Sequence, residues 1–415
     1  MATHSPYMDD RETRSQEERA AEQWQTLRVT LAHAKANSSY WGKLLQDIDP
    51  GSIQGPEDLA RVPLTRKSDI PGMQAGNGPF GGMEAASMGS LARVFQSPGP
   101  IYEGGEDKPD YWRFGRAMWA AGIRPGQLVH NTFSYHLTPA GMMMDSGARA
   151  IGCAVFPGGV GNTEIQLDAI EQLRPQAYGG TPSFLKILLD KGDELGRDTS
   201  SFKYALMGGE PFSNSLRKEL ADRGIYALQS FGTAELGLVA YESEAVEGLI
   251  TDEDVLVEVV RPGSGEPLPE GEVGEMVVTV LRAGAFPVIR FATGDMTAIM
   301  PGASPCGRTA PRIRGWMGRA DQRTKVKGMF VAPEQINQIM QRYPEIRRAR
   351  LVVTRDNEQD SMTLKAECEG ADAGLADKLR ESLQTVTKLR GQVELVAPGD
   401  LPNDGKVIAD ERTFD

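Results

Sequence analysis

The chain has 415 residues and a formal net charge of −12, with 40% hydrophobic and 25% charged residues. This length predicts two or three domains. The negative charge argues against general binding to nucleic acids or anionic membranes, because phosphate groups repel such a surface. No run of about 20 apolar residues is present, so no transmembrane helix is expected. The first residues also lack the basic start and apolar core of a signal peptide.

The cysteine and histidine content narrows the chemistry. Cys153, Cys306 and Cys368 are scattered and do not have the spacing of a disulfide framework, which favours a cytoplasmic protein. With four histidines in the chain, neither a histidine-rich metal site nor a Ser-His-Asp triad is well supplied.

In chain order, the first predicted element is a helix at about 15–36, where apolar residues recur near helical spacing. A strand is predicted at 92–95, a Gly- and Pro-rich loop at 96–105, and a helix at 111–121. Strands and helices then alternate. The predicted strands are 127–133, 153–156, 177–178, 204–207 and 226–229. The predicted helices are 139–150, 163–173, one that follows residue 183 and ends at about 195, and 213–223. This alternation predicts a parallel α/β sheet with its ligand site at the carboxyl ends of the strands.

From residue 255 the pattern changes to β runs at 255–260 and 274–281, which predict an antiparallel β module within about 250–317. Beyond Gly328 the pattern is α+β, with helices at 333–342 and 373–387 and strands at 349–354 and near 363–367. The predicted fold class is therefore α/β. A large N-terminal domain (1–318) would hold the parallel sheet and the β module, and a small, mobile C-terminal α+β domain (319–415) would follow.

Three stretches of the large domain combine glycine with a carboxylate. Gly208-Gly209-Glu210-Pro211 is a glycine turn of the kind needed where a backbone passes close to a ring. Phe231-Gly232-Thr233-Ala234-Glu235 joins an aromatic face to a carboxylate. Asp295 closes a Thr-Gly-Asp turn, and its carboxylate could accept hydrogen bonds from two hydroxyls. Each stretch can also be an ordinary turn.

Two further stretches lie at and after the predicted domain boundary. Gly318-Arg319-Ala320-Asp321 precedes a basic segment that ends at Gly328. Taken alone, it is equally well a polar hairpin with a salt bridge. Gly405-Lys406 lies close to the end of the chain, where a lone lysine is usually a surface residue.

In this order, the five stretches resemble the signature loops of the adenylate-forming superfamily, which includes acyl-CoA synthetases, luciferases and the adenylation domains of peptide synthetases. Residues 63–69 (Pro-Leu-Thr-Arg-Lys-Ser-Asp) and 306–313 (Cys-Gly-Arg-Thr-Ala-Pro-Arg-Ile) resemble segments of the phenylacetate–coenzyme A ligase subgroup. The resemblance extends from about Ser39 to the end of the chain.

The resemblance implies roles for the loops of the large domain. Phe231 would stack near the adenine, with Gly232 and Thr233 beside it. Gly209-Glu210-Pro211 would lie along the adenine face, and Glu235 would help to hold Mg²⁺ between the phosphates. The family commonly has Tyr at position 231 and Thr or Ser at position 234, so Ala234 puts one polar contact in doubt.

The resemblance also implies roles around the boundary. Asp295 would hold both ribose hydroxyls, and Arg319 would also contact the nucleotide. Asp321 would be the hinge about which the small domain turns. Lys406 would contact the carboxylate and the α-phosphate during adenylation.

The phosphate loop departs from the family pattern. Relatives carry a Ser/Thr/Gly-rich run whose amides and hydroxyls cradle the phosphates, and the corresponding stretch here, 96–102, keeps only Ser97 and Gly99 of that type. Its two prolines have no N–H to donate. This loop predicts weakened ATP use or a different way of holding the phosphates. Gln322, where relatives often have a second Asp, is a smaller departure.

The metal site departs as well. Many relatives hold a structural Zn²⁺ with Cys and His ligands. The aligned positions here are Ser243, Ile250, Ser304 and Cys306. One thiol cannot make a closed tetrahedral site, so no zinc is expected. In the acyl pocket, Tyr135 and His136 are candidates by resemblance, although packing aromatics and a core histidine are at least as probable at these positions.

The implied reaction is carboxylate plus ATP giving acyl-AMP and pyrophosphate, followed by transfer to coenzyme A. The expected cofactors are ATP/AMP, Mg²⁺ and coenzyme A, and the expected substrate is an aromatic or arylacetic acid. Neither nucleic acid nor membrane is an expected partner, and a homodimer is possible. Two alternatives stay open: an adenylating enzyme that loads a carrier protein or an amine, and a nucleotide- or CoA-binding protein whose degenerate phosphate loop impairs catalysis.

Overall fold

The computed structural model describes residues 5–97, 100–318, 320, 324–326, 329–356, 359–370 and 373–412. The helices are α1 (Gln16–Asn37), α2 (Ser39–Leu44), α3 (Pro56–Leu59), α4 (Ile70–Gly76), α5 (Phe114–Ala120), α6 (Ala140–Ala150), α7 (Thr163–Leu173), α8 (Pro182–Leu195), α9 (Asn214–Asp222), α10 (Pro333–Met340) and α11 (Ala373–Thr387). Short 3₁₀ turns span Asp10–Glu12, Pro50–Ser52, Lys67–Asp69 and Met88–Ser90.

The strands are β1 (Thr65–Arg66), β2 (Arg93–Ser97), β3 (Ile101–Gly105), β4 (Leu128–Asn131), β5 (Ala154–Pro157), β6 (Ala177–Gly180), β7 (Tyr204–Met207), β8 (Tyr226–Thr233), β9 (Gly237–Tyr241), β10 (Leu249–Thr251), β11 (Val255–Val260), β12 (Gly274–Val280), β13 (Phe291–Thr297), β14 (Ile299–Met300), β15 (Arg312–Ile313), β16 (Thr324–Val326), β17 (Met329–Val331), β18 (Ile346–Asp356), β19 (Gln359–Cys368), β20 (Gln392–Val396) and β21 (Ile408–Asp410).

The chain divides into two compact units. The first comprises Met1–Val257, Val278–Phe291 and Met300–Trp316, and the second comprises Glu258–Val277, Ala292–Ile299 and Met317–Asp415. Residues of β11, β12 and β13 are divided between the two units. The mobile C-terminal domain from 319 onward stays a prediction.

The first unit is built on a mixed sheet that includes the run β15-β10-β9-β8-β7-β6-β4-β5. Strands β5, β4, β6, β7 and the first half of β8 are parallel, as the strand–helix alternation predicts. The second half of β8 pairs antiparallel with β9, and β10 and β15 continue the antiparallel part. Part of the predicted β module therefore extends this sheet.

Helices pack on both faces of the parallel strands. Neighbouring strand residues alternate between two apolar clusters: Ala177 lies in the cluster with α5 and α6, whereas Tyr178 lies in the cluster with α7, α8 and α9. Leu206 and Met207 divide in the same way, because successive side chains of a strand point to opposite faces. Because β4, β6, β7 and the first half of β8 are parallel, the loops that follow them lie at one edge of the sheet.

Local signals set the helix boundaries. At the start of α1, the Ser15 hydroxyl accepts a hydrogen bond from the Glu18 N–H, and the Glu18 carboxylate accepts from the Ser15 N–H, which is a capping box. The Ser213 hydroxyl accepts from the Leu216 N–H and so caps the start of α9.

The loop prediction for 96–105 is wrong. Residues 93–97 and 101–105 form an antiparallel hairpin in which Phe95 pairs with Glu103 and Ser97 with Ile101. Proline is excluded from a central strand position but is tolerated at a turn, and Pro100 lies in a turn directly before β3. The flanking residues are therefore free to form the hairpin.

The second unit has its own sheet, of order β20-β19-β18-β21. Strands β18 and β19 are antiparallel, and β20 and β21 add to them in parallel. Helices α10 and α11 supply Ile336, Ile339, Leu379 and Leu383 to its apolar core, which confirms the α+β pattern. Within the described part of the chain, no helix is long and apolar enough to cross a membrane.

Candidate nucleotide and acyl site

A cavity of about 250 Å³ lies at the shared carboxyl edge of the parallel strands. Four of the predicted site residues line it: Ser97, Gly209, Gly232 and Thr233. Its other walls are largely apolar and include Phe114, Phe133, Pro139, Ala140, Met143 and Met144. The cavity therefore has the predicted nucleotide loops on part of its surface and, on the rest, an apolar wall that can accept an apolar group.

One fully buried amide shapes the loop after β4. The side-chain nitrogen of Asn131 donates to the Tyr135 hydroxyl (2.7 Å) and to the Gly141 carbonyl (2.8 Å), and its oxygen accepts from the Phe133 N–H (3.2 Å). These bonds turn Phe133 toward the start of α6. Phe133 is thus a cavity residue that the sequence reasoning missed. Its position two residues after a strand end is the signal that could have found it.

The two predicted acyl-pocket residues are not among the residues that line this cavity. The Tyr135 hydroxyl donates to Asp145 (3.4 Å), and burial together with the Asp145 charge raises the pKa of Tyr135. His136 is exposed. Met143 and Met144 both pack in the core and line the cavity.

The turn after β7 is fixed by its glycines. Gly209 has φ = +81°, a conformation that L-residues rarely adopt. A Cβ atom on Gly208 would lie 3.2 Å from the Ser230 Oγ. Glu210 Oε1 accepts from the Ser183 N–H (2.5 Å) in the first turn of α8, which ties the turn to the neighbouring loop.

The turn after β8 depends on close backbone contact. The pairing of β8 with β9 shifts between Phe231 and Gly232. A Cβ atom on Gly232 would come within 2.6 Å of the Gly237 carbonyl oxygen, so only glycine fits. Thr233 Oγ1 accepts from the Leu236 N–H (3.3 Å). This arrangement buries the side chain of Glu235, which is 6% exposed.

Glu235 lines a second cavity of about 70 Å³ together with Glu103 of the β2–β3 hairpin. The Lys67 Nζ lies 2.8 Å from Glu235 Oε1, although neither Glu235 oxygen receives a well-directed hydrogen bond. The Ser97 hydroxyl donates to Glu103. Burial and the nearby charge of Glu235 raise the pKa of Glu103 to about 8, whereas Ser97 and Lys67 act in the opposite direction.

Lys67 and Glu103 are the charged residues that the sequence reasoning did not assign. Lys67 belongs to the Pro-Leu-Thr-Arg-Lys-Ser-Asp stretch, so the sequence contained a recognisable motif but did not show that Lys67 pairs with Glu235. Glu103 gave no signal, because residues 96–105 were predicted to be a loop. Ser97, predicted to contact phosphate, has its hydroxyl on Glu103.

The Mg²⁺ that the family implies is compatible with Glu235. Protein-bound Mg²⁺ is commonly held by one or two carboxylates together with phosphates and water, and Glu235 has buried oxygens without directed hydrogen bonds. Zinc does not fit the other predicted positions. The Ser304 hydroxyl lies 3.0 Å from the Cys306 sulfur, and the described residues contain no group of three or more His, Cys, Asp or Glu side chains that could hold a metal.

Cys306 instead lies in a hydrogen-bonded cluster. Burial alone would raise the pKa of Cys306, but hydrogen bonds from Ser243, Ser304 and Arg308 hold it below its ordinary value. The structure thus brings Ser243, Ser304 and Cys306 together, as the alignment with zinc ligands requires. Ile250 packs in the same apolar core cluster as Cys306.

The remaining predicted residues of the second unit are Asp295 and Lys406. Asp295 is 9% exposed on β13, and the flanking Gly294 and Met296 form backbone hydrogen bonds with Ala320 and Gly318. Lys406 is exposed, and its backbone is held by Arg350 and Asp404. Gly99, Arg319, Asp321 and Gln322 lie outside the described residues.

A parallel sheet with these loops at its carboxyl edge, followed by an α+β segment, is the architecture expected of an AMP-binding enzyme. The chain matches the AMP-binding enzyme family over residues 135–280 and the AMP-binding enzyme C-terminal domain over residues 328–412. It is 33% identical to the phenylacetate–coenzyme A ligase of Thermus thermophilus, over 87% of this chain and 84% of that protein. It is 30% identical to the phenylacetate–coenzyme A ligase of Aromatoleum evansii, over 93% and 92%.

A solved structure of 2-hydroxyisobutyryl-CoA ligase, in an open conformation with 2-HIB-AMP and CoA, resembles the fold with a TM-score of 0.73 at 26% identity. The similarity covers 97% of this chain and 93% of that one. The chain therefore belongs to the phenylacetate–coenzyme A ligase family of AMP-binding enzymes. It is an AMP-forming acid–thiol ligase.

Proposed function

We propose that this ligase activates an aromatic or arylacetic acid with ATP to give acyl-AMP and pyrophosphate, and then transfers the acyl group to coenzyme A. The observation that supports this substrate class is the cavity at the carboxyl edge of the sheet. Two phenylalanines and two methionines form much of its wall, and such side chains favour a ring over a polar or charged group. The related phenylacetate–coenzyme A ligases, by name, act on an acid of this class.

The nucleotide would lie along the glycine turns. Gly209-Glu210-Pro211 offers a backbone that Glu210 anchors to α8, so the turn is fixed before a ligand arrives. Phe231 would present its ring to the adenine, beside Gly232 and Thr233. Asp295 would accept from the ribose hydroxyls, and Arg319 would also contact the nucleotide.

Activation must bring two anions together, the carboxylate and the polyphosphate. Lys406 would reduce their repulsion during adenylation. Glu235 would hold Mg²⁺, which when bound supplies positive charge to the phosphates. A turn of the small domain about Asp321 would then withdraw Lys406 and admit the thiol.

The test is pyrophosphate–ATP exchange with a panel of acids: phenylacetate, benzoate, hexanoate and 2-hydroxyisobutyrate. Exchange that is strongest with the two aryl acids, followed by CoA-dependent AMP release, is the expected result. Exchange only with an aliphatic acid would refute the substrate class. AMP release that does not depend on CoA but increases with an added amine would refute the assignment of CoA as the acceptor.

A pair of variants tests the cavity directly. Phe133→Ala should change the preference among the four acids, because Phe133 lines the cavity. Phe184→Ala is the matched control, because Phe184 packs against the cluster on the other face of the sheet. Equal preferences in wild type and Phe133→Ala would place the acyl group elsewhere.

A further inference from the structure

The β2–β3 hairpin, whose sequence aligns with the phosphate loop of relatives, carries a buried carboxylate. Glu103 is 9% exposed, and its Oε1 accepts from the hydroxyl of Ser97, which lies on the paired strand two residues beyond Phe95, the direct partner of Glu103. Its Oε2 is buried without a hydrogen-bond partner. A buried carboxylate oxygen with no partner is costly, so its presence calls for an explanation.

A second carboxylate with the same deficiency faces the same cavity. Both oxygens of Glu235 are buried without directed hydrogen bonds, and both Glu103 and Glu235 line the cavity of about 70 Å³. The two carboxyls come from different elements, the β3 strand and the turn after β8. One ammonium, that of Lys67, lies against Glu235. Two buried carboxyls thus share one lysine.

The surroundings favour a cation rather than water alone. Tyr111, Trp112 and Phe286 are among the walls of this cavity, and an apolar wall strengthens the attraction between a carboxylate and a cation. Its two guanidinium groups have other partners: Arg113 pairs with Asp252, and Arg282 donates to the Tyr111 carbonyl. The volume leaves room for a few water molecules, and carboxylate and water oxygens are the ligands preferred by Mg²⁺ and Mn²⁺.

We propose that Glu103 and Glu235 together form a divalent-cation site. The cation then has two carboxylate ligands from the protein, whereas Glu235 alone would supply one. Lys67 is the counter-ion of this site when no cation is bound, and the entering cation displaces it from Glu235. The proposal rests on the proposed function only in assigning Glu235 to Mg²⁺. Under this proposal, stronger protein contacts to the metal compensate for the hydroxyl and amide donors that the phosphate loop lacks.

The experiment measures metal binding without acid or nucleotide, so that its outcome does not depend on the adenylation assay. Mn²⁺ is titrated into the full chain, and the free Mn²⁺ signal is followed by electron paramagnetic resonance. Saturable binding of one Mn²⁺ with competition by Mg²⁺ is expected. Each of Glu103→Gln and Glu235→Gln should weaken the affinity at least about tenfold, as loss of supporting metal contacts commonly does.

Two further variants sharpen the test. Lys67→Met should tighten Mn²⁺ binding, because it removes the competing ammonium, whereas a merely structural Lys67 would leave binding unchanged or weaken it. Glu106→Gln is the matched control for Glu103→Gln. It removes one negative charge just beyond the same strand, but from a carboxylate that already pairs with Lys108 and does not line the cavity, so the affinity should stay at the wild-type value.

Several outcomes would overturn the proposal. The wild type could fail to bind Mn²⁺, Glu103→Gln could bind Mn²⁺ with wild-type affinity, or Glu106→Gln could lose as much Mn²⁺ affinity as Glu103→Gln. Thermal denaturation of each variant identifies any loss of binding that comes from unfolding. Failure of acid-dependent exchange with intact Mn²⁺ binding would count against the proposed function and leave the cation site standing.

Discussion

Glu12 is the residue whose loss should weaken the first unit most clearly. Its side chain is 1% exposed and is shared by two arginines: Oε1 accepts from Arg116 Nη1 (2.9 Å), and Oε2 accepts from Arg308 Nε (2.5 Å). Oε1 also accepts from the Met8 N–H (2.8 Å). The carboxylate therefore holds the N-terminal segment against two largely buried guanidinium groups.

Glu12→Gln keeps the size of the side chain but removes its charge. Arg308, itself 1% exposed, would then retain Glu244 as its nearby carboxylate (3.0 Å), and that residue is 44% exposed. Breaking a buried ion pair by removing one partner typically costs about 3–5 kcal/mol. Because domains are stable by only about 5–15 kcal/mol, this variant should lose a large part of the stability of the first unit.

The assay is guanidinium chloride unfolding followed by tryptophan fluorescence. All five tryptophans of the chain lie in the first unit, so the signal reports that unit. Glu22→Gln is the control: Glu22 is 50% exposed and pairs with Arg11 at 3.0 Å, so its loss should cost no more than about 1 kcal/mol. A change below about 1 kcal/mol in Glu12→Gln would refute the reasoning from burial.

Three further predictions concern the metal and the second unit. Elemental analysis of the purified protein should find no stoichiometric zinc, because Ser243, Ile250 and Ser304 occupy three of the four aligned ligand positions; one zinc per chain would show that the alignment is wrong. Asp295→Ala should weaken AMP binding by about 3–6 kcal/mol, the loss of two hydrogen bonds to a charged group, and calorimetry with unchanged affinity and intact fold would contradict the ribose assignment. Lys406→Ala should slow acid activation by roughly a hundredfold or more while leaving the reaction of preformed acyl-AMP with CoA nearly unchanged; equal losses in both steps would contradict the domain movement.

The fold was predictable because its determinants are local and repeated. Strand β7 and helices α7 and α11 were predicted with the bounds that the structure has, since each shows a clear period and a flanking breaker. The hairpin β2–β3 was missed because its residues were judged by their Gly and Pro content. Content does not show that Ser97 and Glu103 lie on paired strands and form a hydrogen bond.

The candidate site was predictable only where a loop has a recognisable order of residue types. The glycines and Glu235 were found in this way, and the structure places Gly209, Gly232 and Thr233 around one cavity. Phe133 and Lys67 were not assigned, because their roles come from contacts across 76 or more residues of sequence: Gly209 lies against Phe133, and Glu235 against Lys67. Such pairings depend on tertiary structure and leave no local pattern.

The departure from the family pattern at the zinc-ligand positions has a physical explanation. At the positions aligned with zinc ligands, Cys306 is hydrogen-bonded to serines and to Arg308, and Arg308 is neutralised by Glu12. A guanidinium group is a permanent cation with five fixed donors, so it can link several acceptors, as a metal does, but it needs a carboxylate in return. Glu12 supplies that carboxylate from the N-terminal segment. We therefore expect the stability of this region to depend on Glu12 and not on a metal. The zinc analysis and the Glu12→Gln variant test this expectation independently.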